Sequence, residues 1–323
     1  MAKDQGKVSE AKGKTVAELP LACSDETAAT EFLERQRWGG SPECPFCGGT
    51  EVYQMRDRDG NRQRNYRWRC KGCGKQYTVR VGTIMEASPI PLRWWCWAFW
   101  MACSSENGVS ALQISRETGL SYKSALFMMH RIRHAMAHPY AKEPPSGAVE
   151  ADETYVGGKV KNRYPKYGAG SRKDLPRKAP VLALIERGRE ARAMVLPRVT
   201  AATLGAAIRR HVAKEATLAT DEHRVYIPVG RQQAGGHLSV CHSRNEYARG
   251  EAHINTAESF FAILKRGLYG TFHAVSEKHL HRYVSEFEFR WNSRKMDDGE
   301  RISKAIQGAE GKRLRYKEPS KAN

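Results

Sequence analysis

Residues 147–156 read GAVEADETYV, and that run decides the fold of the second half of the chain. A glycine leads into a short β-rich stretch containing Asp152, whereas the region before it has helical spacing. The change follows the break HPYAKEPPSG, where Pro139, Pro144, Pro145 and Gly147 stop a helix and form a linker over 139–147. Downstream, APVLALIE, the turn RGRE and ARAMVLPRV predict a hairpin. TAATLGAAIRRHVAKEA then puts Leu204, Ile208 and Val212 on one face of an amphipathic helix. The apolar strand ATLAT ends at Asp221, HLSVCH is a further strand, and the helices HINTAESFFAILKRGLYG and SEKHLHRYVSEFEFRWN close the series. The order of these elements predicts an α/β domain with a mixed sheet over residues 148–295.

A chain of 323 residues exceeds the usual size of a single core, and 40% apolar residues suffice for two or three. The formal charge of +19 attracts polyanions, so nucleic acid is the first partner to consider. MAKDQGKVSEAKGK lacks the apolar segment of a secretory signal, so a cytoplasmic location is expected, on the nucleoid when DNA is bound. The most apolar run, WWCWAFWMAC from Trp94, is too short for a bilayer core of about 30 Å, so a buried helix and no membrane partner are expected. Residues 1–20 and 296–323 are basic, lack periodicity and are expected as tails without fixed structure.

CPFCGG and CKGCGK supply Cys44, Cys47, Cys70 and Cys73, two Cys-x2-Cys knuckles whose thiolates can close one tetrahedral zinc site. Glycines after each second cysteine allow the tight turns that aim backbone amides at sulfur. The loop between the knuckles is slightly longer than usual, within what a zinc ribbon's hairpin tolerates. Four protein ligands leave no open position, so this zinc is structural. The ribbon is expected over 21–85 with the preceding helix SDETAATEFLERQRW, capped by Ser24 or Asp25 and facing a core with Phe32 and Leu33. Among the eight cysteines, Cys96 and Cys103 lie on one face of the Trp-rich helix as core residues, and Cys23 and Cys241 receive no role.

Over 86–138, GVSALQISRETGLSYKSALFMMHRIRHAM has the shape of a helix-turn-helix. Ser110–Thr118 forms the first helix, Gly119 and Leu120 the turn, and Ser121 caps a second helix whose Tyr122, Lys123 and Ser124 are placed to reach a major groove. Leu126, Met129 and Ile132 are expected inside, with Arg131 and Arg133 on phosphates.

Asp152 and Asp221 come from separate strands, and hard cations such as Mg²⁺ need carboxylates from separate elements converging at one sheet edge. The helix from Asn255 offers a third wall, because Asn255, Glu258 and Lys265 fall within about 80° of one another on the helical wheel, with Arg266 beyond. Its local alternative is a capping box, Asn255 as N-cap with Glu258 three residues later.

CPFCGG through CKGCGKQYTVRVGTIMEASPIPLRWW, then VEADETYVGGK, ATDEHRVY, HINTAESFFAILKRGLYGTFH and KHLHRYVSEFEFRWN, resemble the bacterial insertion-sequence transposases of the fifteen-ninety-five family, with zinc-ribbon and ISXO-type transposase domains. The resemblance covers roughly residues 24–295 in order. It implies an RNase H-like catalytic domain of the DDE superfamily, Mg²⁺- or Mn²⁺-dependent chemistry with two ions on double-stranded DNA at element ends and target, and a homo-oligomer on that DNA. Asp152 and Asp221 match the first two positions. The family's asparagine-then-lysine pattern maps the third onto Asn255 and Lys265, whereas the superfamily's glutamate, spaced from the same lysine, maps it onto Glu258. A carboxylate binds Mg²⁺ more strongly than an amide oxygen, which favours Glu258. Lys265 and Arg266 are expected on DNA phosphates. The rival readings are a zinc-ribbon and helix-turn-helix regulator and an RNase H-like nuclease without strand transfer.

Overall fold

The structure, a computed structural model, describes residues 10–137, 143–157, 178–240 and 253–315. The chain forms two units, one from the segment up to Met136 together with Arg294–Lys321, the other from Ala137–Ser293.

The first unit begins with α1 (Glu10–Ser24) and α2 (Glu26–Trp38). Asp25 caps α2 by accepting from the Ala28 amide at 2.7 Å, and Phe32 and Leu33 are fully buried, as their spacing predicts. A three-stranded antiparallel sheet follows, β1 (Val52–Gln54), β2 (Trp68–Cys70) and β3 (Gln76–Tyr77), in sequence order. Next come α3 (Leu92–Ser104), α4 (Ala111–Thr118) and α5 (Tyr122–Met136). α3 buries Trp95, Cys96, Phe99, Ala102 and Cys103 on one face, so its two cysteines are core residues. The helix-turn-helix geometry forms as expected: Ser110 accepts from the Gln113 amide, Gly119 turns at φ +73°, and the Ser121 hydroxyl accepts from the Ser124 amide at 3.2 Å.

In the second unit β4 (Ala148–Val156) is the middle strand of five. It pairs antiparallel with β5 (Ala179–Glu186), which pairs antiparallel with β6 (Ala191–Val195) through the turn at Gly188. After α6 (Ala201–His211), β7 (Thr217–Thr220) pairs parallel with β4 on its other side. The short α7 (Ile227–Gly230) leads to β8 (His237–Ser239), parallel to β7, giving the order β6-β5-β4-β7-β8. The last part of HLSVCH lies outside the described residues. One sheet face packs on α6 through Val149, Leu184, Leu204 and Ile208. The other packs on α8 (Asn255–Arg266) and α9 (Glu277–Asn292) through Val181, Phe260, Leu264 and Phe287. α8 ends in a π-helical turn at Gly267, where an added Cβ would sit 2.0 Å from the Phe287 ring; only glycine admits that crossing. The edge of β6 is blunted by α9: Asn292 accepts from the Ala191 amide and donates to its carbonyl, and Glu288 accepts from Ala193.

Several expectations are corrected here. Residues 1–20 are not all tail, because α1 starts at Glu10 and buries Leu19 completely. Nor is all of 296–323 a tail, since α10 (Asp298–Gln307) is closed by an Asp297/Glu300 capping box and buries Ile302, Ala305 and Ile306 in the first unit. Beyond it the Glu310 carboxylate takes both nitrogens of a fork from Arg37, and Lys312 donates to the carbonyls of His134 and Ala135 at the end of α5. The ribbon, the helix-turn-helix and this returning helix therefore share one unit. Residues 143–147 are not a free linker: the Glu143 carbonyl accepts from Arg192, the Pro145 carbonyl from Ala213, and the Gly147 amide donates to Glu186. Arg131 does not face phosphates; it is buried and donates to the carbonyls of Ile84, Glu86 and Leu314. Arg133, 1% exposed, is likewise inside, and Leu126 is only half-buried.

Candidate active site

Side chains alternate along β4, so Glu150 and Asp152 share the face toward α8 while Glu153 points to the opposite one. The parallel register runs Ala148 to Thr217 through Glu150 to Ala219, and continuing it brings Asp221 level with Asp152 just past the end of β7. Asp221 closes that end by accepting from the His223 amide at 3.0 Å, and the following turn sends Tyr226 into the core, where its hydroxyl donates to Glu153. Asp152 on β4 and Asp221 just past β7 thus lie level with one another, close enough for their charges to interact.

The third wall differs from the capping-box expectation. Ile254, not Asn255, is the N-cap of α8, and no side chain of the helix caps it. Glu150 does so from β4: its Oε2 accepts from the amides of Thr256 at 2.8 Å and Ala257 at 3.1 Å. Asn255 and Glu258 are both exposed on the first turn. Lys265 and Arg266 are exposed in the last turn.

The electrostatics register the convergence. Burial first, then the charges of Asp221, Glu153 and Glu258, outweigh an amide hydrogen bond and push the Asp152 carboxyl up to about 7. Glu153 is raised too, by burial and by Asp221. Like charges gathered around a half-buried carboxyl make a hard-oxygen environment whose repulsion a divalent cation would relieve, so the donor set fits Mg²⁺ or Mn²⁺. Asp152, Asp221 and Glu258 do not close on one another: among the described residues only the cysteine cluster brings three or more ligand atoms within 4.8 Å of one another.

Sequence reasoning missed Glu150, Glu153 and Arg187, whose Nε donates to Glu150 at 2.9 Å. The signal was present, since three carboxylates within four residues of a strand covered on both faces each require a partner or a function.

In the ribbon, Cys44 Sγ lies 3.6 Å from Cys73 Sγ and Cys47 Sγ 3.7 Å from Cys70 Sγ. Zinc with Zn–S bonds of about 2.3 Å needs sulfurs about 3.8 Å apart, so the four thiols fit a tetrahedral structural zinc. Gly48 and Gly74 each adopt φ +71°, the left-handed turn expected after each second cysteine. Burial raises the Cys44 thiol, but the amides of Phe46 and Cys47 with the neighbouring thiols outweigh it and bring it down to about 7.

Of the residues expected at a groove, Tyr122 and Lys123 are exposed at the start of α5, whereas Ser124 is half-buried and its hydroxyl is engaged by Ser121. A second basic surface lies on the ribbon. Val52, Trp68 and Tyr77 pack with the cysteines, leaving Tyr53, Arg69 and Gln76, paired in one row, on the outer face. Arg58 and Arg64 are exposed on the β1–β2 connection and, like Arg69, form no ion pair among the described residues. No helix among the described residues is long and apolar enough to cross a membrane.

Comparison with known proteins places two family models on the chain in tandem: a transposase zinc-ribbon domain over residues 24–76 and an ISXO2-like transposase domain over residues 145–292. A relative from Halobacterium salinarum, described as an uncharacterized protein in transposable element ISH50, is 28% identical over 274 residues, covering 82% of this chain and 90% of its own. The cysteine cluster lies within the first match, and the paired aspartates with α8 lie within the second. The chain is thus similar, in this order, to the zinc-ribbon and ISXO2-like transposase domains of the IS1595 family.

Proposed function

We propose that this protein is a DNA transposase that binds the ends of its element and, with divalent cations, cleaves DNA and transfers the freed strand to a target. The observation that carries the reading is the meeting of Asp152 and Asp221 beside the first turn of α8, in a unit matching a transposase domain. The strand order, three antiparallel strands with two more parallel to the first, supports an RNase H-like domain of the DDE superfamily. Asp152 and Asp221 would hold the cations, with Glu258 as the third ligand; the Glu258 charge acting on Asp152 favours it over Asn255. Bound there, the cations would activate water against a phosphodiester and stabilise the leaving oxygen. Lys265 and Arg266 would hold DNA phosphates as charges beside the acidic wall. Pairing two ends and a target implies several copies on the DNA.

Labelled end DNA with Mg²⁺ separates this reading from its rivals: joined products support it, nicking alone indicates a nuclease, and binding alone a regulator. Glu258→Ala is expected to lower cleavage about a hundredfold or more, and Asn255→Ala far less. Cleavage that survives loss of Glu258 but not of Asn255 would reverse the assignment.

DNA binding is assigned to the start of α5 and to the outer face of the ribbon. Phosphate contacts are sequence-independent and salt-sensitive. The triple substitution Arg58→Ala, Arg64→Ala and Arg69→Ala is therefore expected to reduce the slope of log affinity against log salt by about 2–3 while preference for end DNA over scrambled DNA persists. An unchanged slope would remove the ribbon face from the interface.

A further inference from the structure

Glu150 is fully buried, yet no ligand or surface role accounts for a charge at that depth. Burying a carboxylate is tolerated only when its oxygens are fully engaged. Here they are: besides the Thr256 and Ala257 amides, they accept from the Thr256 hydroxyl at 3.0 Å and the Arg187 Nε at 2.9 Å, and His253 Nδ1 lies 3.1 Å away. Arg187 also donates to the His253 carbonyl at 3.1 Å, tying the β5–β6 turn to the chain two residues before α8.

We propose that Glu150 is a positioning residue for the metal site, a clamp that fixes the first turn of α8 at a set distance from Asp152. The proposal rests on the metal-site reading above. Its physical content is geometric. Glu150 and Asp152 are two residues apart on one face of β4, so a rise of about 6.6 Å separates the carboxylate that grips the helix from the one that faces the cations. The grip falls on the amides of the second and third helical residues, immediately beside Asn255 and Glu258. A helix N-terminus also favours negative charge, so the clamp uses free donors that the α8 sequence leaves without a side-chain cap. Arg187 balances the carboxylate, which lets it act as an anchor without adding net charge next to Asp152. Asp221 is positioned independently, by its strand and turn. Losing the clamp should therefore loosen one wall of the site and leave the other in place.

The test measures Mn²⁺ binding by paramagnetic relaxation, together with end cleavage, thermal melting and end-DNA affinity, on the full chain. Glu150→Gln keeps an acceptor for the helix amides but loses the charge that holds Arg187 and α8 together. It is expected to fold, to bind end DNA as the parent does, and to weaken Mn²⁺ binding about tenfold or more, as loss of groups that orient metal ligands does. Cleavage should recover substantially at high Mn²⁺, a rescue that a collapsed domain would not show. Thr256→Val, which removes only the hydroxyl contact, is expected to give a smaller shift of about threefold and decides the matter if Glu150→Gln does not fold. A folded Glu150→Gln, or in its place Thr256→Val, with unchanged Mn²⁺ affinity overturns the clamp. Asp152→Asn serves as the control: if it binds Mn²⁺ as tightly as the parent, the metal-site reading itself fails and the clamp falls with it.

Discussion

Asp152→Asn is expected to abolish strand cleavage, by roughly a thousandfold or more, while end-DNA affinity stays within about twofold. The substitution preserves size and removes the charge that would hold the cations, and the surfaces assigned to DNA ends lie on other elements. The same change is expected to stabilise the protein in magnesium-free buffer at pH 8. Burial and the Asp221 charge raise the Asp152 carboxyl from 3.8 to about 7. An acid raised on folding contributes its full stability below its unfolded value and loses it as pH climbs through the folded one. The advantage of Asp152→Asn over the parent should therefore be near zero at pH 4, grow up to about pH 7 and then level off. A shift of about three units corresponds to about 4 kcal/mol, and local relaxation and water leave roughly 2 of it. Melting temperatures of both proteins across pH 4–8 check this. Parallel curves, or cleavage at the parental rate, would sink the assignment.

Removing zinc should have an effect of comparable size on the other unit. The ribbon core consists of Cys44, Cys70 and Tyr77 with Trp38, Val52, Trp68 and Val81 around them, on strands of two or three residues. So small a cluster does not offset the entropy of ordering its loops. Structural zinc sites supply about 10–16 kcal/mol of apparent binding energy, which here is folding energy. Cys47→Ser, or metal stripped by a strong chelator, is expected to shift tryptophan emission to the red as Trp38 and Trp68 become exposed, and to weaken end binding about a hundredfold or more. The Asp152 unit has two cores of its own, so its thermal transition should persist. Unchanged emission and end affinity, with loss of metal verified, would show that the cluster does not hold the ribbon together.

Local chemistry was legible without coordinates. The two Cys-x2-Cys knuckles with their glycines, the Ser121 cap, the spacing of Leu204 and Ile208, and the unbroken apolar run of β5 each encode their structure within a few residues, because caps, turns and periodicity are short-range effects. Asp152 within one strand and Asp221 at the end of another were read from the sequence, and the parallel register of β4 with β7, continued by two residues, sets them level. Three features were not legible, and they share one cause. The helix at residues 298–307 returns to pack beside α1 and α3, the guanidinium of Arg131 turns inward to three carbonyls, and the cap of α8 comes from Glu150, some hundred residues earlier in the chain. Asn255 and Glu258 match a capping box, and nothing within the helix distinguishes that pattern from one whose amides are already taken. Only the packing of β4 against α8 supplies the fully buried Glu150 carboxylate that takes the Thr256 and Ala257 amides, and with the helix starting one residue early the Glu258 amide that a capping box would use is bonded to the Ile254 carbonyl instead.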